Sequence, residues 1–267
     1  AFLAALVWGI ITHLYMLTNK FPNPDDTRHM FDLGVAIEGG RFGLALLSNK
    51  WFNWDVAILS AYSMPWLNGI LSISFIGISA AIMVNVLKIQ KKISCALIAF
   101  IMVAYPTVTG TLHYMFTAPA YFFALFLSVI AVYFGVKSRL CSSREEREVQ
   151  GEQSRGNISN RSSNYFGRRK VFSIIICEIA LVLCLGIYQA YFWVSIGLFI
   201  LVLFFDSLTD HINGNATVKQ IVLDGTSYVL MLVFALAAYG VCNKMILHFT
   251  HKDLVQYGGL NDIFSVF

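Results

Sequence analysis

Seven stretches of this chain are apolar for long enough to approach the thickness of a lipid bilayer. They cover residues 1–18, 65–87, 93–112, 117–136, 171–187, 190–205 and 226–247. A helix needs about 20 consecutive apolar residues to cross the hydrocarbon core, and backbone polar groups in that core must be satisfied within the helix. Of the 267 residues 57% are hydrophobic and 13% charged, too little charge to coat a water-soluble globule. The sequence predicts an all-α polytopic transmembrane protein of about seven spans, organised as one transmembrane domain over 1–267. It excludes soluble, disordered and disulfide-scaffold classes. The Gly186–Ala190 stretch is read as a tight turn, because an unbroken helix over 171–205 would far exceed a membrane thickness. Pro106 and Pro119 fall near span ends, where a missing N–H costs little. Five cysteines, with no CxxC pair and mostly inside apolar runs, read as small buried hydrophobes. The chain starts with Ala inside an apolar run, so it is expected to be a fragment of a longer chain, without a cleaved signal peptide.

Basic residues set the expected orientation. With a cytoplasmic amino terminus the inner connections hold thirteen Lys and Arg and the outer segments six. Trp51, Trp54, Trp66, Tyr105, Tyr114, Tyr188, Tyr191 and Trp193 then gather at the outer boundary, where amphipathic rings belong. Residues 137–170, rich in Ser, Arg, Glu, Gln and Asn, read as a flexible cytoplasmic loop. Its basic end, Arg168-Arg169-Lys170, suits anchoring beside anionic lipid. The sequons at Asn157, Asn160 and Asn215 fall on that inner side, where glycosylation is not expected.

The outer loop 19–55 differs from every other connection. A connector between two spans needs only a few residues. This one carries Asp25, Asp26, Arg28, His29, Asp32, Glu38, Arg41 and Lys50, interleaved with Met30, Phe31, Leu33, Val35 and Ile37. After Gly39-Gly40, residues 41–47 read as a second short amphipathic helix, with its apolar face expected against acyl chains. Asn23-Pro24-Asp25-Asp26 is a good helix start: an Asn cap, Pro at the first position and acids in the first turn. The same fixed carboxylates are placed to accept a proton from an incoming hydroxyl. Arg28, His29 and Arg41 are candidates to hold an anionic group such as a lipid phosphate. Further outer candidates for substrate binding are His113, Tyr114, Tyr188, Gln189 and Lys252. Glu178 stands alone as a formal charge deep in a span, and on a continuous helix it would share a face with Gln189. His13, near the outer edge of the first segment, reads as interfacial. No HxxxH, CxxC, GxSxG or Walker-type pattern occurs, so neither metal nor cofactor is expected, and no nucleic-acid partner.

At Phe21-Pro22-Asn23-Pro24-Asp25-Asp26, followed by Gly39-Gly40-Arg41-Phe42, the chain resembles the GtrII family of glucosyltransferases. These are bacterial polytopic enzymes that modify O-antigen and related surface glycans. Tyr188-Gln189 after an apolar run is similar to that family's pattern, and Phe42 stands where the family carries an aromatic. The resemblance spans roughly residues 1–260; the family is longer, so further carboxy-terminal spans are expected. It implies a GT-C-like fold and a polyprenyl-phosphate-linked sugar donor, with glucose as the sugar. The acceptor would be a surface glycan, reached on the periplasmic face of the inner (plasma) membrane. It also implies that an acid of the first outer loop, here Asp25 or Asp26, acts as base. A lipid-carrier flippase or small-molecule transporter is the rival reading, with Glu178 as its one midplane group. A non-catalytic membrane scaffold is a third, and would tolerate neutral substitution throughout 25–41.

Overall fold

The computed structural model describes residues 1–19, 34–47, 64–114, 117–153, 160–212 and 218–254; of 34–35, 140–153, 160–166 and 219 only the backbone is described. Asp25, Asp26, Arg28 and His29 lie outside the described residues, as do Asp32, Lys50, Trp51 and Trp54.

All seven apolar segments are helical, and among the described residues there is no strand. The order is α1 (Phe2–Thr18), α2 (Gly34–Glu38), α3 (Phe42–Leu47), α4 (Pro65–Val86), α5 (Lys92–Ala104), α6 (Pro106–Leu112), α7 (Ala118–Gln153), α8 (Asn160–Ile187), a 3-10 turn (Gln189–Tyr191), α9 (Phe192–Ile212) and α10 (Val218–Thr250). Five of these helices are long and apolar enough to cross a membrane, or six when the bent pair α5–α6 is one span. With 17 residues, α1 falls short of the roughly 20 a perpendicular crossing asks for. Pro106 begins α6 after a 46° bend at Tyr105, so it breaks the third apolar segment instead of ending it. Helical backbone continues through Gln153 and resumes at Asn160, within the stretch expected to be a linker. The Arg144-Glu145-Glu146-Arg147-Glu148 run consists of residues with strong helix propensity.

The central helix is α7. It packs most extensively on α8 and α4, with α9 on a further side, while α1 covers α4 and α5. Small residues on α7, Ala118, Ala120, Ala124 and Ala131, are all buried and let neighbours approach, as helices in lipid require. Ser128 and Ser195 share a buried hydrogen bond of 2.8 Å between α7 and α9, and Phe199 stacks on Tyr228 at 4.4 Å between α9 and α10. His13 is buried, not interfacial: its Nε2 lies 2.9 Å from the Val103 carbonyl, tying α1 to α5. Cys177 and Cys184 are buried free thiols; Cys95 and Cys242 are half-buried and also free.

The short helices after the first span correct the expectation of an interfacial platform. Ala36, Ile37, Phe42, Leu44 and Ala45 are buried, against α8 and α10 of the same chain instead of lipid. The reason is the pair Gly43 and Gly186. A Cβ on Gly43 would lie 3.0 Å from the Gly186 carbonyl carbon, and one on Gly186 would lie 2.6 Å from the Phe42 ring. Two bare backbones thus meet where side chains would hold them apart. Helix α8 also ends at Ile187, so Glu178 and Gln189 are not on one continuous helix and the shared-face argument lapses.

Gly186→Val should cost about 1–3 kcal/mol by overpacking and release α3 from α8. A lower midpoint of thermal unfolding in detergent, with faster amide exchange over 34–47, checks this. Gly197→Ala, whose Cβ meets open space, should leave both unchanged.

Candidate active site

The bundle has two polar ends, and the helix termini sort between them. At one end Tyr239 on α10 meets the Gly39-Gly40 turn, and Tyr121 at the start of α7 and Tyr188 after α8 meet Arg41 just beyond it. Arg139, eighteen residues along α7 from Tyr121, sits about 27 Å away at the other end.

The turn between α2 and α3 is built by its own backbone. Gly40 N–H donates to the Ile37 carbonyl at 2.9 Å and Arg41 N–H to the Ala36 carbonyl at 2.7 Å. Gly40 has φ +72°, in the left-handed region where Gly carries no penalty, and a Cβ there would lie 2.6 Å from Tyr239 Oη. The carbonyls exposed by this turn are then taken by side chains from distant helices. Gln189 Nε2 donates to Gly39 O at 3.3 Å, Gly40 O at 3.4 Å and Tyr239 Oη at 3.0 Å. Tyr239 Oη in turn donates to Gly40 O at 2.9 Å, and its ring stacks on Phe42 with centroids 5.9 Å apart.

This fastening aims Arg41. Its Nη1 donates to Tyr121 Oη at 3.3 Å and its guanidinium carbon lies 5.5 Å from the centre of the Tyr188 ring. Tyr121 and Tyr188 stack at 4.3 Å, and Tyr191 stands edge-on to Tyr188 at 5.4 Å. A cation over an aromatic face gains about 0.5–2 kcal/mol, more as water is excluded. Arg41 is half-buried, its Nε has no hydrogen-bond partner, and among the described residues it meets no carboxylate. A guanidinium held by neutral rings and a phenol keeps its full charge for an incoming anion, and its planar fork suits phosphate. Close by, Asn243 Oδ1 is buried without a partner, one helical turn from Tyr239 on the same face of α10.

The expected site residues divide. Arg41, Tyr188 and Gln189 come together. The Gln189 amide N–H groups are occupied by the Gly39-Gly40 turn, which makes this side chain a fastener of the turn. Tyr114 packs half-buried against the core. Lys252 pairs with Glu38 at 3.1 Å, joining the end of α10 to α2. His113 is exposed, and its Nδ1 lies 3.0 Å from Thr109 O in its own helix, so it adds nothing to the cluster. Sequence reasoning missed Tyr121, Tyr239 and Asn243. The signal available was Tyr239 and Asn243 four apart in an otherwise apolar span. Among the described residues no three His, Cys, Asp or Glu side chains gather as metal ligands.

Gln189→Ala and Tyr239→Phe should each raise amide exchange at Gly40 and Arg41 by about five- to tenfold, as expected for a lost hydrogen bond of about 1 kcal/mol. Exchange measured by mass spectrometry over 34–47 reads this, with His113→Ala as the variant that should not change it.

No curated protein and no solved structure matches the chain. A protein family does: residues 14–266 match the family described as glucosyl transferase GtrII. That match covers the end of α1, the Gly-Gly-Arg turn, the aromatic cluster and the final helix. The chain therefore belongs to the GtrII glucosyl transferase family.

Proposed function

We propose that this protein transfers glucose from a polyprenyl-phosphate carrier to a surface glycan such as O-antigen, at the extracytoplasmic face of the inner membrane. On this reading the fold is GT-C-like and has seven spans, with α1 and the bent α5–α6 pair each counted as one. The observation that carries it is Arg41, a half-buried guanidinium without a carboxylate neighbour among the described residues, walled by Tyr121 and Tyr188. A lipid-linked phosphate presents its anion at the margin of the hydrocarbon, where a cation backed by aromatic rings meets it. The basic residues support the orientation: Lys88, Arg139 and Lys170 belong to the opposite end, the end the positive-inside rule assigns to the cytoplasm.

The reaction is a single displacement. The acceptor hydroxyl oxygen bonds to the anomeric carbon while the bond from that carbon to the carrier phosphate oxygen breaks. The hydroxyl proton passes to the carboxylate of Asp25 or Asp26, and the released phosphate leaves with the bonding pair. Arg41, with Arg28 and His29 as proposed helpers, stabilises the charge that grows on the departing oxygen. One in-line displacement inverts the anomeric configuration.

The test is transfer of labelled glucose from polyprenyl-phosphate glucose by membranes carrying each variant at matched insertion. Asp25→Asn or Asp26→Asn should lose about 10²–10⁴-fold, the contribution of a general base. Arg41→Gln should lose about 10²–10³-fold, as for an oxyanion donor. Near-normal transfer by both Asp variants overturns the base assignment. A flippase or transporter reading rests instead on Glu178, whose Oε2 is buried with no hydrogen-bond partner. Under the transferase reading Glu178→Gln keeps transfer; substrate uptake in proteoliposomes without any sugar transfer favours the rival.

A further inference from the structure

Tyr239, Asn243 and Leu247 follow one another at four-residue steps and make one stripe of α10. Tyr239 donates to the Gly40 carbonyl, and Leu247 packs on Ile37 of α2 and Ala45 of α3. Asn243 lies between these two contacts and is 7% exposed. Its Nδ2 lies 3.6 Å from the point that a Cβ on Gly40 would occupy, so the amide borders the turn that carries Arg41. Its Oδ1 is buried with no hydrogen-bond partner. The turn does not use this acceptor, because the Gly39 and Gly40 carbonyls are taken by Gln189 and Tyr239.

Arg41 Nε is a second buried group without a partner at the same turn. The two differ in sense. Nε is a donor on a charged guanidinium, and a phosphate oxygen satisfies it. Oδ1 is an acceptor, and a phosphodiester has no proton to give it. The chemistry that satisfies both is a phosphate joined to a group rich in hydroxyls. An amide sets an acceptor beside a donor, and neighbouring hydroxyls of a pyranose ring match that pair in either orientation, since each hydroxyl both donates and accepts. The terminal torsion of Asn is broad, so the amide turns toward such a group without moving α10.

We propose that Asn243 reads hydroxyls of the transferred sugar and is a specificity-determining residue, an inference that rests on the reading in which Arg41 meets the carrier phosphate. Arg41 and Asn243 then divide one substrate, with charge met on one side of Gly40 and hydroxyls on the other. Because Oδ1 is already out of water, a hydroxyl that reaches it gains a hydrogen bond without stripping water from the protein. A ligand without the hydroxyl gains nothing there, which is how a buried polar group discriminates.

The experiment measures binding of polyprenyl phosphate and of polyprenyl-phosphate glucose to the full chain by native mass spectrometry, with glucose transfer run in parallel. Asn243→Leu, close in shape, should weaken the glucose-bearing lipid about five- to tenfold, the worth of one hydrogen bond, and leave polyprenyl phosphate unchanged. Arg41→Gln should weaken both. A role in holding the turn predicts a different outcome: Asn243→Leu would lower the thermal midpoint and speed amide exchange over 34–47. Removing an unmatched buried amide should instead leave exchange unchanged and the midpoint equal or higher. Equal affinity of the unaltered chain for the two lipids overturns the inference. So does equal weakening of both in Asn243→Leu, weakening of neither, or a destabilised turn. Failure of transfer with sugar-selective binding intact counts against the proposed function alone. Normal transfer by the unaltered chain, with no sugar-selective loss in Asn243→Leu, counts against this role of Asn243 alone.

Discussion

The end of the bundle where Arg41 sits depends on one small set of hydrogen bonds: the carbonyls of Gly39 and Gly40 held by Gln189 and Tyr239. A turn with a left-handed residue exposes backbone acceptors, and in a low-dielectric setting an unmatched acceptor is expensive. Here the two groups that satisfy them come from α10 and from the turn after α8. The short helices α2 and α3 are thereby fixed to the bundle wall, and the residue that follows the turn has its direction set. Arg41 reaches its aromatic neighbours because Gly39-Gly40 cannot move away from Gln189.

The close approach of α3 to α8 belongs to the same device. Phe42 fills the space above Gly186 and stacks on Tyr239, so the ring that packs the helix also steadies the hydroxyl that holds the turn. Burying Leu44 and Ala45 on the protein instead of the lipid makes the loop part of the rigid scaffold. If Arg41 binds substrate as proposed, its place on such a scaffold means that little conformational freedom is lost on binding.

Charge is divided along the bundle by a simple rule. Ionised groups are costly within the hydrocarbon; Glu178 lies deep in a span, while at the basic end Lys88, Arg139, Asp206 and Asp224 are paired. Arg139 is held between Asp206 and Asp224, and Lys88 extends the pair into a network that crosslinks α7, α9, α10 and the turn after α4. At the other end Arg41 has phenols and π faces for company, a partner set that neutralises nothing. The difference between a cation neutralised in a network and one that keeps its charge lies in the neighbours, not in the residue.

The sequence by itself determined the seven apolar segments, the helical class and the break at Gly39-Gly40, and it singled out Arg41, Tyr188 and Gln189, which the fold brings together. Each of these is a local signal: hydropathy over about 20 residues, a glycine pair, a charge beside an apolar run. Only the tertiary structure decided what the side chains do. It turned the Gln189 amide toward a backbone 150 residues away, buried His13 against Val103, and brought Tyr121 and Tyr239 to Arg41. It also drew Lys88, Arg139, Asp206 and Asp224 into one network from three helices and a turn. Periodicity reports which face of a helix is apolar, but not which helix lies across from it. That choice is made by packing, where paired glycines allow contact and larger residues forbid it.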